Sequence, residues 1–220
     1  MDAWSVSVVI PTLPERGGLL ANAIRSVNAQ TLTPYEVIVE EVQEGDDAGV
    51  TRNRGLARVK TPWVAFLDDD DELEPNHLQV LVDAVKEEQT DVAYSWFKIL
   101  KGDGSLEIAD DVLWLVDTDN RQKSGFGVAW NPYMVQALRH NNFVHICCLI
   151  RTEKAREAGG FPVTGTPEWP ELHSEDWGFW IRMLKCGATF QHIPKRTWHW
   201  RHWDGRTNGQ PYRRNVDLVR

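Results

Sequence analysis

A short apolar stretch that runs directly into four consecutive aspartates constrains this chain more than any other feature. Residues 64–67 read Val-Ala-Phe-Leu, the length and composition of a buried strand, and residues 68–71 are all Asp. Adjacent carboxylates repel one another, so such a run costs stability unless a cation or another partner compensates it. Open α/β sheets bind ligands at the carboxyl ends of their strands. The pattern therefore predicts an acidic ligand site at the edge of a buried sheet.

Carboxylate oxygens at such a site suit Mg²⁺ or Mn²⁺ rather than Zn²⁺. A divalent ion bound by one or two carboxylates and by phosphate oxygens is the usual arrangement around a nucleotide diphosphate. On an extended backbone Asp68 and Asp70 share a face, with Asp69 on the other, although the fourth Asp allows a shift of the pairing by one residue. The alternative is a solvated acidic loop that caps the next helix, the common outcome for a run of charges.

Composition limits the class of protein. The chain has 220 residues and is 42% hydrophobic, enough for one well-buried domain or at most two small ones. No stretch approaches the roughly 20 apolar residues of a membrane-spanning helix, and the first residues lack the pattern of a signal peptide. Cys147, Cys148 and Cys186 cannot form an even disulfide framework, which predicts a reducing, cytoplasmic setting.

Charge is unevenly distributed along the chain. The net charge of −8 argues against generic binding of nucleic acid. Residues 195–220 carry seven basic and two acidic residues, a net charge of +5, which leaves −13 for the rest. This basic tail either folds over a bound anion such as a diphosphate or rests on the acidic body.

Hydrophobic periodicity predicts strands that alternate with helices through the first half of the chain. Strands are expected at residues 5–10, 35–39, 63–67 and 91–97, with helical segments at 20–27, 50–59 and 75–85 between them. This order implies a largely parallel sheet with right-handed crossovers.

The second half is less regular. Its expected elements are a helix at 131–140, a strand at 144–150, a short helix at 152–159, an amphipathic helix between Ser174 and Gly187, and late strands at 189–193 and 197–200. The segment 101–127 is rich in Gly and Asp and predicts an edge hairpin or a loop.

A second acidic pair, Glu175–Asp176, stands at the start of the amphipathic helix. Acids there complement the helix dipole, which is the simpler interpretation. The functional interpretation is a general base that takes a proton from an acceptor hydroxyl group. Arg52 and Arg54 have no local carboxylate partner, so they are either phosphate clamps or a solvated helix face.

The tail concentrates aromatic and imidazole side chains. His199 and His202 are candidate metal ligands, although a lone histidine seldom is one. Trp198, Trp200 and Trp203 stand among His and Arg, and their flat faces suit sugar rings, whereas packing remains the default for any tryptophan.

These segments follow one another along the chain in an order that resembles glycosyltransferase family 2. The members of that family are inverting sugar-nucleotide transferases with a GT-A fold. Residues 51–56, Thr-Arg-Asn-Arg-Gly-Leu, resemble the family's Ala-Arg-Asn-x-Gly segment, and residues 63–71 resemble its Asp-x-Asp strand and loop. The other matching segments are 7–12, 21–32, 36–39, 151–161, 175–176 and 180–182. The resemblance covers most of the chain.

The resemblance implies one GT-A domain over residues 1–220, an α/β fold with a Rossmann-like, mostly parallel sheet flanked by helices. It divides the chain into a nucleotide-binding half (1–98), an acceptor-binding half (99–194) and a basic tail (195–220) that closes over the site. The implied activity is transfer of a sugar from a nucleotide-diphosphate sugar to the hydroxyl group of a glycan, lipid-linked sugar, protein or small molecule.

The resemblance also implies a role for particular residues. Asp176 is the catalytic base, with Glu175 beside it, and Asp70, Asp68 and His199 bind Mn²⁺ or Mg²⁺. The residues implied at the nucleotide are Pro11, Thr12, Glu41, Arg52, Asn53, Asp68, Asp69 and Arg201.

The chain departs from the family after the second strand. The family usually carries Asp-Asp-Gly-Ser there, with an Asp that recognises the base, whereas residues 40–45 read Glu-Glu-Val-Gln-Glu-Gly. Glu41 is the expected substitute and Glu40 the next, so a UDP-sugar is only the default donor.

Two other functions share some of these features. A phosphohydrolase also uses a strand followed by Asp-x-Asp and Mg²⁺, but that class carries Thr or Val where this chain has Glu72. A non-catalytic sugar-binding module would use the tryptophans without a general base.

Overall fold

The computed structural model describes residues 2–108, 115–116, 122–123, 135, 137–139, 142–165 and 174–201. The strands are β1 (Val6–Thr12), β2 (Glu36–Glu41), β3 (Trp63–Phe66), β4 (Glu72–Leu73), β5 (Val92–Leu100), β6 (Leu106–Glu107), β7 (Leu115–Val116), β8 (Gln122–Lys123), β9 (Cys148–Arg151) and β10 (Phe190–Arg201). The helices are α1 (Gly17–Asn28), α2 (Ala48–Arg58), α3 (His77–Glu88), α4 (Thr152–Glu157) and α5 (Glu175–Lys185), with a 3₁₀ turn at Pro14–Arg16.

One mixed sheet of eight strands organises the chain. Its order is β2-β1-β3-β9-β5-β10-β4, with β6 paired to β5, and β7 pairs separately with β8. Strand β1 is parallel to β2 and β3, and β5 is parallel to β10, whereas β9 and β4 run antiparallel to their neighbours. The prediction of a mostly parallel α/β sheet is confirmed.

The alternation of strands and helices in the sequence did not reveal that β9 lies between β3 and β5. Residues Cys148–Ile150 of β9 are buried, as a central strand covered on both faces requires. Because β9 comes some fifty residues after β5 in the chain, its position depends on long-range pairing that local periodicity does not encode.

The two late strands expected at 189–193 and 197–200 are one strand, β10. Its pairing with β5 shifts register between Ile193 and Arg196 and again before Trp198. Pro194 falls at the first shift, where a residue without an N–H group is tolerated. The strand crosses residues 194 and 195, where the sequence interpretation separates the acceptor half from the tail.

The core includes the apolar faces of α3 and α5. The apolar stripe of α3, Leu78, Leu81, Val82 and Val85, is fully buried. Trp198, which the sequence suggests is less core-like, is buried at 1% exposure, and Trp203 lies outside the described residues. Spacing at i, i+3, i+4 and i+7 predicts an apolar face of α5 made of Trp177, Trp180, Ile181 and Leu184. Of these Trp180 is buried and the others are half-buried, while Phe179 and Met183 complete the buried face.

Other expectations concern the segments around the core. Residues 135 and 137–139 are helical, and the rest of the helix expected at 131–140 is not described. The pairing of β7 with β8 agrees with the hairpin alternative for the segment 101–127. Cys147 and Cys148 are buried free thiols. No helix in the described residues is both long and apolar enough to cross a membrane.

The sheet positions the site because β1, β2, β3 and β10 all point the same way. Thr12, at the end of β1, is in register with Glu41, at the end of β2. The acidic segment 68–71 follows β3, and Arg201 ends β10. The carboxyl ends of these strands meet at one edge, where an open α/β sheet binds its ligands.

Candidate active site

The acidic loop after β3 brings three carboxylates together. Asp68, Asp70 and Asp71 each offer an oxygen, and these oxygens lie within 4.8 Å of one another. Asp70 and Asp71 are buried and Asp68 is half-buried. Asp71 donates its N–H to the carbonyl of Asp68 at 3.1 Å, which closes the turn. A compact set of hard oxygens fits a Mg²⁺ or Mn²⁺ ion.

Asp69 turns away from this carboxylate cluster, as the alternation of side chains predicts. Its carboxylate accepts hydrogen bonds from Thr12 Oγ1 at 2.8 Å, from Leu13 N at 3.2 Å and from Arg16 Nη1 at 3.0 Å. Burial raises the pKa of Asp69, and the bonds from Thr12 and Arg16 oppose that rise. Asp69 thus fastens the end of β1 to the acidic loop.

Two arginines neutralise part of the negative charge of the loop. Arg16 Nη1 also lies 3.7 Å from Asp70 Oδ2. Arg201 donates from its backbone N to Asp71 Oδ1 at 2.9 Å, from Nε to the carbonyl of Asp70 at 3.0 Å, and from Nη2 to Glu72 Oε1 at 2.9 Å. Sequence reasoning selected Arg201 but missed Arg16, whose only signal is its place in the loop after β1.

Arg52 connects the cluster to the second acidic pair. Its Nη2 lies 2.5 Å from Asp68 Oδ1, and its Nη1 donates to Glu175 Oε1. Burial opposes the charge on Arg52, but the facing charges of Asp68 and Glu175 outweigh it and hold the pKa of Arg52 above its usual value. The two acidic groups that the sequence singles out therefore contact the same side chain.

The first turn of α5 holds Glu175 and Asp176. Ser174 caps the helix and accepts from Trp177 N, and its hydroxyl donates to Asp176 Oδ1. Asp176 also accepts from Trp177 N at 2.7 Å and from Asn142 Nδ2 at 2.9 Å. Burial is the main cause of a raised pKa at Glu175, and Arg52 opposes it. Asn142 had no sequence signal, because only the fold brings it to α5.

The side chain of Asn53 is hydrogen-bonded to the backbone of Phe161. Its Nδ2 donates to the carbonyl of Phe161, and its Oδ1 accepts from Phe161 N, both at 2.8 Å. Gly160 has φ +68°, and a Cβ there would lie 2.3 Å from Asn53 Oδ1. This contact fastens α2 to the segment that follows α4.

The remaining candidates lie at the rim of the site or are paired elsewhere. Pro11 and Thr12 are buried at the end of β1, and Glu41 is exposed beside Thr12. His199 Nε2 lies 2.8 Å from Glu74 Oε1, which Lys98 Nζ also contacts at 2.6 Å. His199 is thus paired with Glu74 in the described part of the chain, and His202 falls outside it.

Other proteins share the sequence pattern. Residues 42–130 match the model of "Glycosyl transferase family 2". The chain is 28% identical over 190 residues to the succinoglycan biosynthesis protein ExoW of Rhizobium meliloti (strain 1021), an alignment that covers 72% of this chain and 58% of that protein.

Solved structures share the fold. S. aureus TarS 1-349 in complex with UDP-GlcNAc matches with a TM-score of 0.66 at 16% identity, over 94% of this chain and 61% of that one. The UDP complex of TarS 1-349 matches with a TM-score of 0.60 at 14% identity, over 90% of this chain and 60% of that one. The chain spans about three fifths of the length of these relatives.

The mostly parallel sheet matches these structures over almost the whole length of the chain, so the fold is of the GT-A type. The acidic cluster lies at the carboxyl edge of this sheet. The family model over residues 42–130 and the similarity to ExoW point to the same family. Together these comparisons support glycosyltransferase family 2.

Proposed function

We propose that this chain is an inverting glycosyltransferase, which transfers a sugar from a nucleotide-diphosphate sugar to an acceptor hydroxyl group. The observation that carries the proposal is the arrangement around Arg52, which contacts both Asp68 of the carboxylate cluster and Glu175 beside Asp176. A site for the leaving diphosphate and a candidate base thus adjoin one another. The match of residues 42–130 to the family model supports the same activity.

The donor is proposed to bind at the carboxyl edge of the sheet, in the half of the domain formed by residues 1–98. Pro11, Thr12 and Glu41 border the position for the base, at the ends of β1 and β2. A UDP-sugar is the first donor to test, because TarS has been solved with UDP-GlcNAc and with UDP. Asn53 and Asp69 support this pocket by fixing Phe161 and Thr12.

A divalent cation, Mn²⁺ or Mg²⁺, would be held by Asp68 and Asp70 with Asp71 beside them. Bound there, it would neutralise the negative charge that develops on the departing nucleoside diphosphate. Arg16 and Arg201 lie against the same loop and add positive charge to it. We assign His199 no ligand role, because Glu74 holds its Nε2.

Asp176 is proposed as the general base. It takes the proton of the acceptor hydroxyl, whose oxygen forms a bond to the anomeric carbon as the bond from that carbon to the diphosphate oxygen breaks. Attack from the face opposite the leaving group inverts the anomeric configuration. Ser174, Trp177 N and Asn142 hold the carboxylate in one orientation for this step, which reduces the cost of alignment.

A screen of nucleotide sugars tests the proposal. We expect at least one of them to bind more tightly with Mn²⁺ than with chelator, in calorimetry, and to be hydrolysed slowly without an acceptor. Binding of free glycans without binding of any nucleotide sugar would instead identify a sugar-binding module. Release of phosphate from simple phosphate esters, without use of nucleotide sugars, would identify a phosphohydrolase.

A further inference from the structure

The guanidinium group of Arg52 is already bonded on both sides within the chain. Each terminal nitrogen donates to a different carboxylate, Asp68 or Glu175, and the side chain is only 6% exposed. The planar guanidinium group presents its donors in a rigid fork, so its two terminal nitrogens hold the two carboxylates in one relative geometry. A side chain held in this way is better placed to fix its neighbours than to bind an incoming diphosphate.

Contacts of helix α2 and of Phe161 hold the guanidinium group of Arg52 in place in the absence of a ligand. Gly55, in the same helix, packs so closely on Val9 that a Cβ would lie 2.4 Å from Val9 Cγ1. Asn53 fastens the helix to Phe161 by two hydrogen bonds. The ring of Phe161 in turn lies 5.7 Å from Arg52 Cζ, a cation–π distance.

We propose that Arg52 is a positioning residue that sets the separation between Asp176 and the carboxylate cluster. This inference rests on the proposed function and changes the role of Arg52 from nucleotide ligand to the link between the two halves of the site. Without the two bonds of Arg52, Asp68 and the acids of α5 are no longer fixed to one another, and their mutual repulsion would move the first turn of the helix. Losing the link should therefore lower turnover more than it weakens donor binding.

The test compares Arg52→Lys, Glu175→Gln and the double variant, with Arg151→Lys as the matched control. Lysine keeps the buried positive charge but cannot bond two carboxylates in the same geometry. Arg151 also bonds a carboxylate, Asp91, at 2.8 Å, and it does so at the opposite edge of the sheet.

Two quantities are measured for each variant. They are the Kd of UDP in the presence of Mn²⁺, by calorimetry, and the turnover number of UDP-GlcNAc hydrolysis. For either single variant we expect turnover to fall about tenfold or more while the Kd changes less than about threefold. The double variant should be no slower than the slower single variant, because both substitutions break the same link. A loss of more than about tenfold in UDP affinity with unchanged turnover, or fully multiplicative losses, would overturn the proposal.

Hydrogen exchange gives a readout that does not need a substrate. Arg52→Lys and Glu175→Gln should speed exchange of the amides at residues 175–178, and Arg151→Lys should not. Unchanged exchange in both variants would contradict the positioning role even if the protein binds no nucleotide, so the two proposals fail separately. If Arg52→Lys does not fold, Glu175→Gln carries the same comparison, because it removes the other end of the link.

Discussion

The backbone N–H of Arg201 donates to Asp71 Oδ1 at 2.9 Å, across 130 residues of sequence. This bond joins the end of β10 to the acidic loop that follows β3. Arg201, which belongs to the basic tail of residues 195–220, therefore contacts the carboxylate cluster directly.

Replacing Asp176 with asparagine should abolish sugar transfer. Asparagine retains the shape of the side chain and one acceptor oxygen, which can still face Trp177 N, while an amide nitrogen replaces the oxygen that faces Asn142. It cannot take up a proton. We expect a loss of turnover of about a hundredfold or more with UDP affinity nearly unchanged, measured by a transfer or hydrolysis assay alongside calorimetry. Transfer at near the wild-type rate would exclude Asp176 as the base.

Replacing Asp70 with asparagine should remove the gain in nucleotide affinity that Mn²⁺ provides. Asp70 is buried within the carboxylate cluster, so the change removes a charge from the proposed cation site. We expect UDP affinity with Mn²⁺ to fall about tenfold, or about 1.4 kcal/mol, and affinity with chelator to stay the same. The control is Asp83→Asn on α3, because Asp83 is exposed and accepts a hydrogen bond from Gln79 on the same helix.

Acidification should destabilise the fold through His77. The imidazole is buried, bonded through Nδ1 to Thr197 Oγ1 at 2.7 Å, and burial lowers its pKa to about 3. Below pH 6.5 the unfolded chain binds a proton that the native state excludes. The free energy of unfolding therefore decreases as the pH is lowered. This group alone should cost about 1 kcal/mol between pH 6.5 and 5.5.

Urea unfolding at these two pH values, for the wild type and for His77→Gln, measures the contribution of His77. The variant should lose less stability over this interval than the wild type, whatever its stability at pH 7. Equal losses in the two proteins would show that His77 is not the group responsible.

Replacing Gly55 with alanine should destabilise the protein although alanine favours helix. The new Cβ would lie 2.4 Å from Val9 Cγ1, in the buried contact between α2 and β1. Overpacking of this kind costs about 1–3 kcal/mol, more than the roughly 1 kcal/mol of helix propensity that alanine supplies. Gly18→Ala in α1 meets no atom within 4 Å and should be neutral or stabilising in the same urea titration.

Much of the fold could be predicted because its signals are local. The periodicity of the first 97 residues located three helices and four strands of the sheet, and the run of residues 64–71 located the strand and the acidic loop. The alternation of side chains on an extended backbone also predicted that Asp68 and Asp70 converge while Asp69 turns away. In the structure Asp69 contacts Thr12 and Arg16 instead.

The partners of the candidate residues could not be predicted, since each comes from a distant part of the chain. Arg52 and Asn53 looked alike as polar residues on a helix, yet Arg52 joins two carboxylates and Asn53 binds the backbone of Phe161. His199 looked like a metal ligand and is paired with Glu74. Which partner a buried polar group finds depends on strand order, including the position of β9 between β3 and β5.

The amino-acid sequence by itself determined which chemical groups this protein carries at the ends of its strands and at the start of its last described helix. It did so because strand and helix signals span only a few residues. The tertiary structure decided which of those groups meet, and it placed Arg52 between Asp68 and Glu175. Buried charges must find partners wherever the packed chain supplies them, and those partners lie 16 and 123 residues away.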